Sequence, residues 1–154
     1  MKAKLIATAL LALLLAVPAS AQDIRAVQPG DRLKAVVLDV TDGDSLVVEV
    51  RGLRVAVRLA GVNCPEWDAP GGGEATAYTT AWIASDPAVA LEAAQDCYTT
   101  KPDCWDKYGR LLAFVWHGDS MLQEDLLRAG HAEVKYIRET ARHYIRLKAA
   151  THVP

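Results

Sequence analysis

Asp42-Gly43-Asp44, Arg58, Asn63-Cys64-Pro65-Glu66 and Asp106-Lys107-Tyr108-Gly109-Arg110 are the four places in this chain where side-chain type and spacing suggest chemistry. Each also has a plainer reading. Asp42-Gly43 alone is a strong hairpin-turn signal. Asp44, however, shares parity with Leu46, Val48 and Val50. That parity turns it to the inner side of a sheet, at its mouth, where a carboxylate needs a cation or hydrogen-bond donors. The acidic spacing and the strand-like flanks do not fit an EF-hand. Arg58, near the end of a strand, reads by itself as a solvated arginine on a half-exposed surface. Pro65-Glu66 is either a turn or a device that holds one carboxylate steady beside Asp44. The run from Asp106 to Arg110 sets polar and charged side chains at a loop–strand junction, with a glycine that allows close approach. That combination suits an anion such as phosphate.

The elements that must position these residues are legible as alternating patterns. The chain has 154 residues, 51% hydrophobic and 23% charged, enough for one ordinary domain with a core and too apolar to be disordered. Three cysteines exclude a disulfide-dense miniprotein, and a formal charge of −2 does not announce a polyanion binder. The spacing predicts three strands first: Leu33 to Val40, then Leu46 to Val50, then Leu53 to Leu59. Leu53, Val55, Val57 and Leu59 line one face of the third, alternating with Arg54, Ala56 and Arg58. Turns at Asp42-Gly43 and Arg51-Gly52 make these an antiparallel meander. A loop from Gly61 to Gly73 leads to a helix over Glu74 to Ser85. A fourth strand follows at Ala88 to Ala93 and a fifth at Arg110 to Trp116. Ser120-Met121-Leu122-Gln123 reads as a capping box opening a helix that Gly130 ends, and a last helix runs from Arg138 to Ala150. The class is α+β, and five short strands can close into a small barrel that removes the sheet edges.

Residues 1–21 read as a secretory signal. Lys2 and Lys4 precede an apolar run from Leu5 to Val17, and Ala19-Ser20-Ala21 supplies a small-residue cleavage site. The apolar run is too short to span the roughly 30 Å hydrocarbon core of a membrane, so cleavage after Ala21 is preferred over a retained tether. Residues 22–30 are then a short lead and 31–150 the domain. Removing the two lysines and no acid moves the charge from −2 to −4. An exported chain meets oxidising conditions, under which Cys97 and Cys104 could pair and close a loop of about eight residues. Cys64 reads as a small buried apolar residue. His117, His131, His143 and His152 have no ligand spacing. Trp67, Trp82, Trp105 and Trp116 could stack on bases, although Trp82 and Trp116 sit in regular elements and read as packing.

Taken in order, Asp-Gly-Asp-Ser, Val-Arg-Leu, Cys-Pro-Glu and Asp-Lys-Tyr-Gly-Arg resemble the staphylococcal nuclease (thermonuclease) family, over about residues 31–148. Met121-Leu122-Gln123-Glu124-Asp125-Leu126-Leu127-Arg128-Ala129-Gly130 also resembles that family's helix after the last strand. The resemblance implies a five-stranded OB-fold barrel with three helices and a Ca²⁺-dependent hydrolase of DNA and RNA. It makes Asp44 a carboxylate ligand of Ca²⁺, with Asn63 and the Cys64 backbone carbonyl beside it. It makes Arg58 and Arg110 holders of the target phosphate, and Glu66 the group that orients or deprotonates the attacking water. It puts Lys107 and Tyr108 on the nucleotide's phosphate and Tyr136 against its base. These roles agree with the physics, because a phosphodiester is anionic and its hydrolysis needs positive charge placed around the phosphoryl oxygens in advance.

Two positions depart from the family pattern. Asn63 stands where a second acidic ligand is common, which lowers the ligand charge and predicts weaker Ca²⁺ binding. Arg138 stands where an aromatic would help hold a nucleotide. The expectation is therefore an exported monomer, periplasmic or secreted, acting on DNA and RNA with Ca²⁺ and without stable membrane association. The alternative is a non-catalytic OB-fold module that binds nucleic acid or protein.

Overall fold

The structure is a computed structural model that describes residues 24–151. The expected signal and its cleavage site lie outside the described residues. The strands are β1 (Arg32–Asp42), β2 (Ser45–Val50), β3 (Leu53–Leu59), β4 (Val62–Asn63), β5 (Ala88–Ala93), β6 (Leu111–His117), β7 (Ser120–Met121) and β8 (Glu133–Val134). The helices are α1 (Gly72–Ala84), α2 (Leu122–Arg128) and α3 (Tyr144–Ala150).

β1, β2 and β3 form the expected meander, with Val37 opposite Val48 and Leu46 opposite Val57. β5 pairs antiparallel with β1 and with β6, and β6 then runs parallel to β3, with Arg58 opposite Leu112. That last pairing closes a five-stranded barrel, so the α+β class and the OB-fold are as expected. The core fills it with the inward residues of each alternation: Leu46, Val48 and Val50 from β2, Val55, Val57 and Leu59 from β3, and Leu111, Ala113 and Val115 from β6. β1 outruns its expected end by two residues. It does so through irregular register at Leu38 and again near Thr41, which bends the long strand round the barrel.

Three expectations need correction. The capping box is not formed: the residue before α2 is Met121, which makes no side-chain cap. Gln123 is instead fully buried; its carbonyl oxygen accepts the Val115 N–H, and its amide donates to the carbonyls of Ala113 and Ala60. The last helix starts at Tyr144 and not at Arg138, because Arg138, Arg142 and His143 are tied to other parts of the fold before it begins. Cys97 and Cys104 are free thiols in this structure: Cys104 turns into the core, while Cys97 stays half-buried on the loop. Gly130, by contrast, sits at φ 75° after α2, as its helix-ending role requires. Among the described residues no helix is long and apolar enough to cross a membrane.

Candidate active site

Three separate stretches meet at one end of the barrel because of the register. Ser45 lies opposite Arg58, and the Leu59 N–H donates to the Asp44 carbonyl at 2.9 Å, so the β1–β2 turn is fixed against the end of β3. Gly43 is the closest point of this contact. A Cβ there would come within 2.8 Å of the Ala75 Cβ and 2.9 Å of the Cys64 Sγ. The Gly43 carbonyl also accepts the Thr79 hydroxyl of α1 at 2.7 Å. The turn is thus held between Cys64 and the helix, and only glycine fits.

Asp44 is buried at the centre. One carboxylate oxygen, Oδ2, accepts the Cys64 N–H at 2.7 Å and pairs with the Arg58 guanidinium at 2.9 Å; the other accepts the Ser45 hydroxyl at 3.3 Å. Burial nevertheless pushes its pKa up to about 6, because desolvation outweighs Arg58 and the Cys64 N–H, and the neighbouring Asp42 carboxylate adds to the rise. Arg58 is spent on the protein. One terminal nitrogen donates to the carbonyls of Leu59 and Val62, and the other contacts Asp44 and the Asn63 side-chain oxygen at 3.2 Å. Asn63 and Cys64 reach the site through β4, which pairs with β8. The Cys64 thiol is pushed up to about 12 by burial and by Asp44, so it stays protonated and is no nucleophile.

Glu66 is exposed two residues beyond Cys64. Its backbone is fixed, since its carbonyl accepts the Ala69 N–H at 2.9 Å and a Cβ on Gly72 would collide with it. That contact requires glycine at position 72, where α1 begins, ahead of the expected Glu74.

Arg110 precedes Leu111, which lies opposite Val57. Arg58 lies opposite Leu112 of β6, so Arg110 sits just ahead of that strand, two residues before the partner of Arg58. Asp106 prepares Arg110 for use. Its carboxylate accepts the Tyr108 and Arg110 backbone N–H groups at 2.9 Å each and the Arg110 Nε at 2.7 Å. With Nε pinned, the two terminal nitrogens of Arg110 make no hydrogen bond among the described residues, and its guanidinium lies 5.4 Å from the Tyr108 ring centroid. Lys107 sits 5.0 Å from the same ring, which is largely exposed. Tyr136 follows β8 at φ 56° and is half exposed, with Lys135 5.5 Å from its ring.

The structure thus brings Asp44, Arg58, Asn63 and Cys64 into direct contact. It sets Arg110 just ahead of the next strand and leaves Glu66 exposed two residues after Cys64. Among the described residues, Lys107, Tyr108 and Tyr136 make no hydrogen bond or ion pair with the first group. Asp106 as the holder of Arg110, and Gly43 and Gly72 as close-approach points, were not assigned these tasks from the sequence. The four-residue offset from Asp106 to Arg110 was the available signal.

Residues 56–153 match the family described as Staphylococcal nuclease homologue. The chain belongs to this family. Among curated relatives of this nuclease-homologue chain, Thermonuclease of Staphylococcus hyicus is 32% identical over 74% of the chain and 66% of the relative. Thermonuclease of Staphylococcus intermedius is 34% identical over 72% of the chain and 65% of the relative. Endonuclease YncB of Bacillus subtilis (strain 168) is 34% identical over 74% of the chain and 54% of the relative. The chain therefore spans just under two thirds of the length of the first two relatives, and about half of the third.

Proposed function

We propose that this family member is an exported, Ca²⁺-dependent nuclease that hydrolyses phosphodiester bonds in DNA and RNA. The observation that carries the reading is the Asp44–Arg58–Asn63–Cys64 cluster, with Arg110 just ahead of the neighbouring strand and Glu66 exposed two residues after Cys64. Two permanent cations and one buried carboxylate suit a phosphoryl group and a hard divalent ion. The names of the relatives point to the same chemistry.

The donor set fits a metal. Asp44 and the Asn63 amide oxygen are hard oxygens brought together on Arg58, and they would hold the ion with the Cys64 carbonyl as the third ligand that the family resemblance implies. A divalent ion held there supplies Lewis-acid stabilisation of charge on the phosphoryl oxygens. Arg110 offers its two terminal nitrogens as a fork to phosphate oxygens, while Asp106 holds Nε and fixes the direction of the fork. Arg58 contributes its charge from a fixed place among Asp44, Asn63 and the carbonyls of Leu59 and Val62. Glu66, on a fixed backbone and open to water, takes the proton of the attacking water. Lys107 and Tyr108 hold a flanking phosphate, and Tyr136 lies against a base. The features of residues 1–21 support export.

The test is cleavage of single-stranded DNA and of RNA by the purified chain, with Ca²⁺ and with a chelator. Turnover that needs Ca²⁺ and falls in Glu66→Gln while nucleotide binding persists is the expected result. Binding without turnover in any divalent ion would replace this reading with the non-catalytic OB-fold module.

A further inference from the structure

The loop between β5 and the Asp106 turn carries an aromatic side chain that neither the phosphate chemistry nor the core uses. Tyr98 is 78% exposed, yet its backbone is held firmly. Its N–H donates to the Asp96 carboxylate at 2.9 Å, and the Asp96 N–H donates to the Asp103 carbonyl at 2.8 Å, which closes the loop on itself. The Gln95 amide donates to the Lys101 carbonyl at 3.0 Å across the same loop. From outside, the Arg138 guanidinium donates to the carbonyls of Cys97 and Thr99, at 2.9 and 2.7 Å, on either side of Tyr98. A large apolar ring presented to water on a braced backbone has lost conformational entropy without gaining burial. That arrangement is expected of a preorganised contact surface.

The surroundings define what the ring meets. The Tyr98 and Tyr136 rings are 6.2 Å apart at 47°, in direct contact, so no third ring fits between them and their outward faces stay open. Lys107 and Lys135 are both close enough to interact electrostatically with the Tyr98 hydroxyl. The patch joins the Tyr108–Arg110 end of the candidate site through Lys107. Exposed aromatic faces interleaved with lysines are the surface that single-stranded nucleic acid binds, bases on rings and phosphates on cations.

We infer that Tyr98, with Tyr136, forms a base-stacking platform for a nucleobase of the single strand being cut. The inference rests on the nuclease reading and adds a substrate contact to it. Steady-state cleavage of a single-stranded oligonucleotide is compared with cleavage of one of equal length built from tetrahydrofuran abasic nucleotides, for the wild-type chain, Tyr98→Ala and Tyr98→Phe. Stacking on one base predicts that Tyr98→Ala raises KM for the natural strand by about tenfold with kcat little changed. Tyr98→Phe keeps the wild-type KM, and all three proteins handle the abasic strand alike. An unchanged KM in Tyr98→Ala, or an equal loss on the abasic strand, overturns the stacking platform alone. Failure of the wild-type chain to cut either strand in any divalent ion overturns the nuclease reading and the platform with it.

Discussion

Asp44→Asn separates what the site costs the fold from what it gives to chemistry. In the folded chain the Asp44 carboxyl rises from the ordinary 3.8 to about 6, chiefly through burial. A carboxyl raised on folding favours the fold while it is protonated, and that advantage disappears as pH climbs through the interval between the two values. Above about pH 6 the ionised group therefore destabilises the metal-free fold, by an upper bound of about 3 kcal/mol. Asn keeps the shape and an oxygen for the Cys64 N–H but carries no charge. It leaves Arg58 without its carboxylate partner, although the carbonyls of Leu59 and Val62 and the Asn63 oxygen remain. The rise to about 6 already contains the Arg58 attraction, so with the bound halved for relaxation around the buried pair, Asp44→Asn should be more stable than the wild type at pH 8 in chelator by about 1–2 kcal/mol. In a domain of this size that is roughly 4–8 °C in Tm. Urea or thermal unfolding from pH 4 to 8 reads it directly. The advantage should grow between pH 4 and 6 and be flat above. Ca²⁺ at a hundred times its Kd should add about 2.7 kcal/mol to the wild type and nothing to the variant. A variant less stable at pH 8, or a difference that ignores pH across that interval, refutes the electrostatic account of Asp44.

Asn63→Asp restores a second carboxylate beside the proposed ion and should tighten Ca²⁺ binding in calorimetry; unchanged affinity defeats the ligand-charge account. Arg110→Lys keeps a charge but loses the fork, and should lower kcat by roughly 10²–10³ with Tm nearly constant; a change confined to KM would make Arg110 a binding residue only. Glu92 is fully buried against Arg32, Arg142 and His143. Burial alone would raise its pKa, but the hydrogen bond and charge of His143, with Arg32 and Arg142, hold it below the ordinary value. A carboxyl lowered on folding adds stability above its unfolded pKa and loses it as pH falls. Glu92→Gln should therefore destabilise the protein at pH 7, by about 2–3 kcal/mol since two of its partners can turn to water. The gap should narrow below pH 4.5, and a gap that stays constant in acid would refute the ion-pair assignment. Gly72→Ala should cost activity more than stability if α1 can slide away from the Glu66 carbonyl; loss of folding alone would make the contact structural.

Strands were read from the sequence where one pattern runs unbroken between turn signals. β3 and β5 came out with their observed bounds, because Leu53 to Leu59 and Ala88 to Ala93 lie in one register from end to end. β4 and β8 have two residues each, too few to show a period, so the pairing that carries Asn63 past Glu133 was invisible. Ser120 to Gln123 matched a capping pattern by type, but the Gln123 amide satisfies backbone groups of β6 that no local pattern reveals. The first turn of the expected last helix was lost for a similar reason. Arg138, Arg142 and His143 are good surface residues for a helix, and each is drawn instead to a partner more than thirty positions away in sequence. In the site, residue types were legible and allegiances were not. Motif order singled out both arginines, while only the register of β2, β3 and β6 says that one faces Asp44 and the other is held by Asp106.

That difference in allegiance gives the two arginines unequal parts. Arg58 is almost enclosed and has four acceptors, two of them backbone carbonyls that cannot move without unravelling the end of β3. Its charge is fixed in place before any substrate arrives. Much of its reorganisation is thereby settled during folding, but it has little freedom to follow a phosphoryl group. Arg110 is held at one nitrogen by a carboxylate on its own loop and bears its remaining donors towards solvent. It can lean on a phosphate through the reaction while Asp106 keeps its plane. A site that must stabilise charge as it develops needs both kinds of cation, one that sets the potential and one that makes the short hydrogen bonds. Whole-chain charge then matters little: charges more than a Debye length of about 10 Å away are screened, so the −2 of the entire sequence does not set the field at this site. Raising ionic strength should consequently weaken the capture of the strand through Lys107 more than the chemical step at Arg110, so KM should climb with salt while kcat holds. A kcat that falls in parallel would mean that the arginines act through the same screened surface field as the lysine.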